Sequence, residues 1–111
     1  GVDIEIPGEK IEKIKMKFLN ANELKFLASS PVQQTENYKM QTVLWASKET
    51  VFKWWGWGNI DFSDHILLQP FEMNDAGDMN AALLREKEIL ALPLRYKVFE
   101  ELCLVWTATD L

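Results

Sequence analysis

The chain has 111 residues, 48% hydrophobic and 26% charged, which suits one globular domain over 1–111 and excludes a disordered tail. Apolar runs such as Ile89-Leu90-Ala91-Leu92-Pro93-Leu94 fall far short of the ~20 residues a membrane-spanning helix needs, and Gly1-Val2-Asp3-Ile4 lacks the pattern of a signal peptide. A net charge of −5 argues against general binding to phosphate backbones, and a single cysteine, Cys103, rules out an internal disulfide and suits a reducing compartment.

Strand signals dominate in chain order. Val2 to Ile6 alternates apolar and acidic residues until Pro7-Gly8 breaks the run. Lys13-Ile14-Lys15-Met16-Lys17-Phe18 alternates strictly, predicting a strand with Ile14, Met16 and Phe18 inward and a solvated lysine edge. Asn22 is placed to cap a short helix over Glu23–Ala28, and 31–37 reads as a polar loop. Tyr38–Ala46 and Thr50–Trp57 then read as a hairpin joined by Ser47-Lys48-Glu49. His65–Gln69 starts another strand, where Pro70 marks an edge or a bulge before Phe71-Glu72-Met73. Asp78 caps a helical turn or two through Met79–Leu84, with a helix over 78–92 as the rival reading, and Leu90–Val98 and Leu102–Thr107 close the chain as strands. The expected fold is mainly β, an antiparallel β-sandwich or open barrel with one or two short helices.

Three of the five tryptophans lie in Lys53-Trp54-Trp55-Gly56-Trp57-Gly58. If extended, this segment is apolar on both faces, with Val51, Trp55 and Trp57 on one side and Phe52 and Trp54 on the other. Left in water, such rings would form a patch of about 300–600 Å², the size of a partner surface. Trp45, Phe52, Trp54, Trp55 and Trp57 are therefore the expected core or subunit contacts; stacking on a glycan, with Asn59 and Asp61 alongside, is the other reading. Charge is uneven too: residues 1–60 hold eight Lys against seven acids, and 61–111 four basic residues against ten acids. Head-to-tail self-association fits if these halves form separate surfaces, and an even mixture in the folded chain fits equally.

Catalytic chemistry finds little purchase in the sequence. Cys103 has no basic neighbour, and Asp61-Phe62-Ser63-Asp64-His65 matches no zinc spacing. The Asn74–Asp78 cluster lacks the closing acid of a calcium loop, Pro7-Gly8 has a lone glycine where a phosphate cradle needs several, and Glu100 and Glu101 point to opposite faces of a strand. No metal, no cofactor and no enzymatic activity are expected on these grounds.

The order of elements, from Glu9–Leu19 through Asn20–Ala28 and a hairpin to Ile66–Met73 and Glu88–Phe99, resembles that of bacteriophage tail-tube (major tail) proteins. The resemblance implies a structural subunit of a virion, assembled in the host cytoplasm, that forms rings stacking head to tail with itself and other assembly proteins. It implies a lumen lined by acidic side chains, with Asp61, Asp64, Glu72, Asp75 and Asp78 as candidates, through which DNA passes without specific binding. The alternative from the residues themselves is a monomeric cytoplasmic β-sandwich module using its tryptophans as a platform for a glycan or a protein peptide.

Overall fold

Among the described residues five strands form, and one sheet takes them all. The computed structural model describes residues 1–29 and 34–107. In chain order the elements are β1 (Val2–Glu5), α1 (Glu9–Phe18), α2 (Ala21–Ser29), α3 (Gln34–Trp55), β2 (Ile66–Leu68), β3 (Ala76–Arg85), β4 (Glu88–Val98) and β5 (Cys103–Trp106). Across the sheet the order is β1-β5-β4-β3-β2, with every pair antiparallel. The architecture is mixed α/β, so the mainly β sandwich or barrel is overturned. The strands at both ends of the chain and the β2 edge strand form as expected, whereas three other segments do not.

The first is α1. Its alternation of isoleucine, methionine and phenylalanine with lysine fits a strand, but Ile11, Ile14 and Phe18 also recur at helical spacing, and that stripe is the one used. Ile11 and Phe18 are buried and Ile14 packs against the core, while Met16, the supposed middle of a greasy face, is 71% exposed. The following helix is real but starts earlier than expected. Asn20, rather than Asn22, caps it in a reciprocal box: Glu23 N–H donates to Asn20 Oδ1 and Asn20 N–H to Glu23 Oε1, each at 2.9 Å.

The second is the supposed hairpin, which is the single 22-residue helix α3. Its Thr, Val, Ser and Trp content disfavours a helix locally. Tertiary burial overrides this, since Met40, Val43, Leu44, Ser47, Lys48 and Val51 make one buried helical face. The hydroxyls that would otherwise disrupt the interior bond back to carbonyls one turn earlier: Thr42 to Tyr38 at 2.6 Å, Ser47 to Val43 at 2.7 Å and Thr50 to Ala46 at 2.7 Å. Gly56, at φ 76°, ends the helix by donating to the Phe52 carbonyl at 3.1 Å, a left-handed cap that a side chain would strain. The expected polar loop over 31–37 is helical from Gln34 onward, and 31–33 lie outside the described residues.

The third is β3, where neither the short helix from Asp78 nor the rival over 78–92 forms. Met79, Ala81 and Leu83 point inward opposite Leu94, Leu92 and Leu90, so pairing with β4 fixes a period of two. Fully buried Leu44, Val43, Ile66, Leu83, Leu92, Leu94 and Tyr96 fill the space between α3 and the inner face of the sheet. No helix among the described residues is long and apolar enough to cross a membrane.

These assignments predict opposite outcomes for two truncations. Leu44→Ala should lower unfolding free energy by about 2–5 kcal/mol, and Met16→Ala should change it by less than about 0.5 kcal/mol. Urea denaturation of both variants checks the prediction, because the strand reading would have made Met16 the costly one.

Candidate active site

The polarity of β1 is inverted. It pairs Asp3 with Val105 and Glu5 with Cys103, both fully buried, so its two acids share the inner face of the sheet with them. Val2 and Ile4 are left to face outward, largely exposed. A soluble protein gains nothing in stability from this orientation, since buried carboxylates must be paired or neutralised. Asp3 is only 5% exposed, and its Oδ2 has no hydrogen-bond partner.

A second element supplies the opposing wall. Trp45, Glu49 and Lys53 stand at successive four-residue intervals on α3 and so share one face of that helix. Lys53 Nζ lies 2.5 Å from Asp3 Oδ1, Trp45 is near enough to Glu5 to favour its charged form, and Glu49 is close enough to Asp3 and Glu5 to feel their charge. Burial, a hydrogen bond to Asp3 and the charge of Asp3 together push the Glu5 carboxyl up to about 7. Burial first, then the charge of Asp3, raises Glu49 above the ordinary carboxylate range. In the other direction, Asp3 holds the Lys53 ammonium above its usual value. Three acids thus crowd around one lysine.

The neighbouring position on α3 anchors this face. Lys48 is fully buried, with its ammonium 2.8 Å from Glu23 Oε1, 2.6 Å from the Phe62 carbonyl and bonded also to the Ile66 carbonyl. Glu23 Oε2 accepts from the Leu68 N–H at 2.8 Å. All three ammonium protons are therefore used, and one ion pair ties together α2, α3, β2 and the segment before it. Desolvation still lowers the lysine pKa, with Glu23 the main opposing influence. Removing one member of such a pair strands the other charge.

The residues singled out from the sequence are dispersed. Of the contact set, Trp45 is at the site; Phe52, Trp54 and Trp55 lie partly buried against the core; Trp57 is 77% exposed. The wide two-faced patch is a consequence of the strand reading and does not form. Asp61 Oδ2 caps its own turn, accepting from the Ser63 hydroxyl at 2.7 Å and the Asp64 N–H at 2.8 Å, while His65 Nδ1 accepts from the Asp61 N–H at 2.8 Å. Glu72 and Asp75 lie between β2 and β3, where their carbonyls bond the Tyr96 hydroxyl and the Val98 N–H. Asp78 pairs with Arg95 at 3.1 Å on the outer sheet face. Cys103 is buried, which pushes its thiol up to about 11 and away from nucleophilic use.

Sequence reasoning missed Asp3, Glu5, Glu49, Lys48 and Lys53. Two signals were present: acids alternating with aliphatics in a terminal strand, and the four-residue spacing of Trp45, Glu49 and Lys53, invisible once the segment is read as a hairpin.

Inward acids beside a lysine are groups that could take part in handling a phosphate together with a divalent cation. Residues 1–106 match the family model of the 4'-phosphopantetheinyl transferase superfamily (ACPS), and the chain belongs to that superfamily. Neither the curated proteins nor the solved structures yield a match. The family match overturns the resemblance to tail-tube proteins. A superfamily of transferases replaces the non-enzymatic virion subunit of a ring or tube, and it lends no support to the glycan- or peptide-binding module.

Phosphoryl-group chemistry of this kind commonly engages Mg²⁺. Among the described residues no group of three or more His, Cys, Asp or Glu is placed to hold a metal ion. Magnesium does not require one, because it binds through one or two carboxylates and leaves its other positions to water and substrate phosphates. The orphaned Asp3 Oδ2 and the mutual repulsion of Asp3, Glu5 and Glu49 fit a cation at this place.

Glu5 also sets a pH dependence. Its carboxyl shifts from 4.5 to about 7 on folding, so between those values the folded chain holds a proton that the unfolded chain has released. In chelator, the melting temperature should therefore fall as pH rises through that window, and Glu5→Gln should flatten the fall. Calorimetric scans across the window test both.

Proposed function

We propose that this chain transfers the 4'-phosphopantetheinyl group from coenzyme A to a hydroxyl on an acceptor carrier protein. The observation that carries the reading is the inverted face of β1, which brings Asp3 and Glu5 against Glu49 and Lys53 of α3 in a chain of this superfamily. In coenzyme A the group is joined to an adenosine nucleotide through a pyrophosphate. Transfer forms a bond from the acceptor oxygen to phosphorus, breaks the bond from phosphorus to the bridging oxygen, releases the nucleotide phosphate and frees the hydroxyl proton.

One or two carboxylates from among Asp3, Glu5 and Glu49 would hold the cation. When bound, Mg²⁺ supplies positive charge to the pyrophosphate oxygens, the electrostatic contribution on which such transfers chiefly depend. The chain adds three functions of its own. Lys53 is half exposed beside Asp3 and can turn its ammonium toward a phosphate oxygen. Glu49, half-buried at the edge of the acids, is the carboxylate placed to take the hydroxyl proton if it is not itself bound to the cation. An apolar groove of about 390 Å³, lined by Ile14, Phe18, Trp45, Ile60 and Phe62 with Lys17 and Asp61 at its sides, shares Trp45 with the acids and offers a course for the pantetheine arm.

Self-association fits this reading through the outer sheet face, where Val2 and Ile4 stand exposed beside half-buried Leu104 and Trp106. Light scattering should show wild-type protein larger than a monomer and Ile4→Glu shifted toward monomer; a monomeric wild type would count against it.

Incubation with coenzyme A, Mg²⁺ and an apo carrier protein should raise the carrier's mass by one phosphopantetheinyl group, as read by intact-mass spectrometry. Asp3→Ala and Glu49→Gln should each slow the transfer by about 10²-fold or more while the variants remain folded by circular dichroism. Unmodified carrier under all conditions, or full activity in both variants, would overturn the assignment.

A further inference from the structure

Apolar contacts hold α3 against the sheet without fixing its rotation closely, because they have no preferred direction. Hydrogen bonds are directional. The Lys48 ammonium, with none of its side chain in solvent, reaches three oxygens: Glu23 Oε1 of α2 at 2.8 Å, the Phe62 carbonyl at 2.6 Å and the Ile66 carbonyl. Glu23 is itself held at both of its oxygens. Its Oε1 also accepts from the Asn20 N–H at 2.9 Å, and its Oε2 from the Leu68 N–H at 2.8 Å. The carboxylate is thus tied to the start of α2 and to β2, and Lys48 is a strut between that fixed point and the middle of α3.

Glu49 is the next residue on the helix, and one turn later the Lys53 ammonium sits on Asp3 Oδ1 at 2.5 Å. Side-chain ends stand about 6 Å from a helix axis, so turning α3 by about 20° would move each by about 2 Å. That turn breaks the strut and carries Lys53 away from Asp3. A misplacement of about 1 Å can cost a reaction about 10²-fold.

We infer that the buried Glu23–Lys48 pair is a positioning device for the site: it fixes the rotation of α3, and through it the places of Glu49 and Lys53 against Asp3. The inference rests on the reading of these carboxylates as the ones that hold the cation. Its distinctive consequence is that stability and site geometry come apart. Removing one member of a buried pair is strongly destabilising, whereas replacing both by neutral residues need not be.

The test is thermal melting and isothermal titration of Mg²⁺ into wild type, K48M, E23D, the E23Q/K48M double variant and L83A. K48M leaves a lone buried carboxylate and should melt lowest of the Glu23 and Lys48 variants. E23Q/K48M should melt well above K48M, yet bind Mg²⁺ about 10-fold more weakly than wild type and need about 10-fold more Mg²⁺ for half-maximal transfer. E23D keeps both charges but shortens the arm by one methylene, so it tests the geometry even if the double variant does not fold; its Mg²⁺ binding should weaken about 3-fold or more. L83A, fully buried in the core on β3, should melt below wild type and bind Mg²⁺ as wild type does. Wild-type Mg²⁺ affinity in E23D or in a folded E23Q/K48M overturns the positioning role and leaves the cation site intact. An equal loss of affinity in L83A overturns it too, because binding would then follow stability alone. A wild type that transfers the group yet binds no Mg²⁺ overturns the cation reading and this inference with it.

Discussion

Everything at the candidate site depends on one strand being turned against the usual rule. A strand with aliphatics and acids in alternation would ordinarily place the aliphatics inward, and the neighbouring positions of β5, Val105 and Cys103, are as apolar as any in the core. Register decides otherwise. With Asp3 level with Val105 and Glu5 level with Cys103, both carboxylates are delivered to the seam between the sheet and α3, and the price is an exposed Val2 and Ile4 and a pocket of repelling acids. Lys53 relieves part of that repulsion through Asp3 Oδ1 and leaves Oδ2 without a partner. A fold selected for stability alone would slip the strand by one residue; this register makes sense if something cationic completes the pocket.

The long helix is the other half of the device, and it presents two faces at once. Lys48 and Glu49 are adjacent in sequence, so they project in directions about a quarter-turn apart. Lys48 goes into the core, where Glu23, two carbonyls and full burial hold it; Glu49 goes to the seam with β1. A buried ion pair is weak evidence for added stability, but it is effective at fixing a register, because any rotation of α3 would leave a charge unpaired inside the protein. The rotation that satisfies Lys48 is also the one that aims Trp45, Glu49 and Lys53 at the acidic strand. Structural lysine and site residues are thus set by a single rotational choice.

How much of this could be read in the amino-acid order follows from where local and tertiary preferences agree. The strands toward the C-terminal end were legible because alternation and burial coincide there, as in Leu92, Leu94 and Tyr96 of β4, whereas β1 was legible from its alternation alone. The stretch from Tyr38 to Trp57 was not, because β-branched and aromatic residues favour strands locally while their burial follows a helical period that only the packed sheet reveals. Reading α3 as two strands separated Trp45, Glu49 and Lys53, and with them the site. The acids of β1 were visible as an alternating pattern, yet nothing in the order of residues states which face of a strand meets the core. That information lies in the pairing with β5, more than a hundred positions away in the chain at Val2 and Trp106.

The claim that the inverted strand exists to hold a divalent cation is tested most directly by the anomalous scattering of Mn²⁺ soaked into crystals of the protein. A peak bounded by the carboxylates of Asp3, Glu5 and Glu49, with Lys53 displaced from Asp3, is the predicted result. A map with no peak at that place, and Lys53 still seated on Asp3 at saturating Mn²⁺, would contradict it.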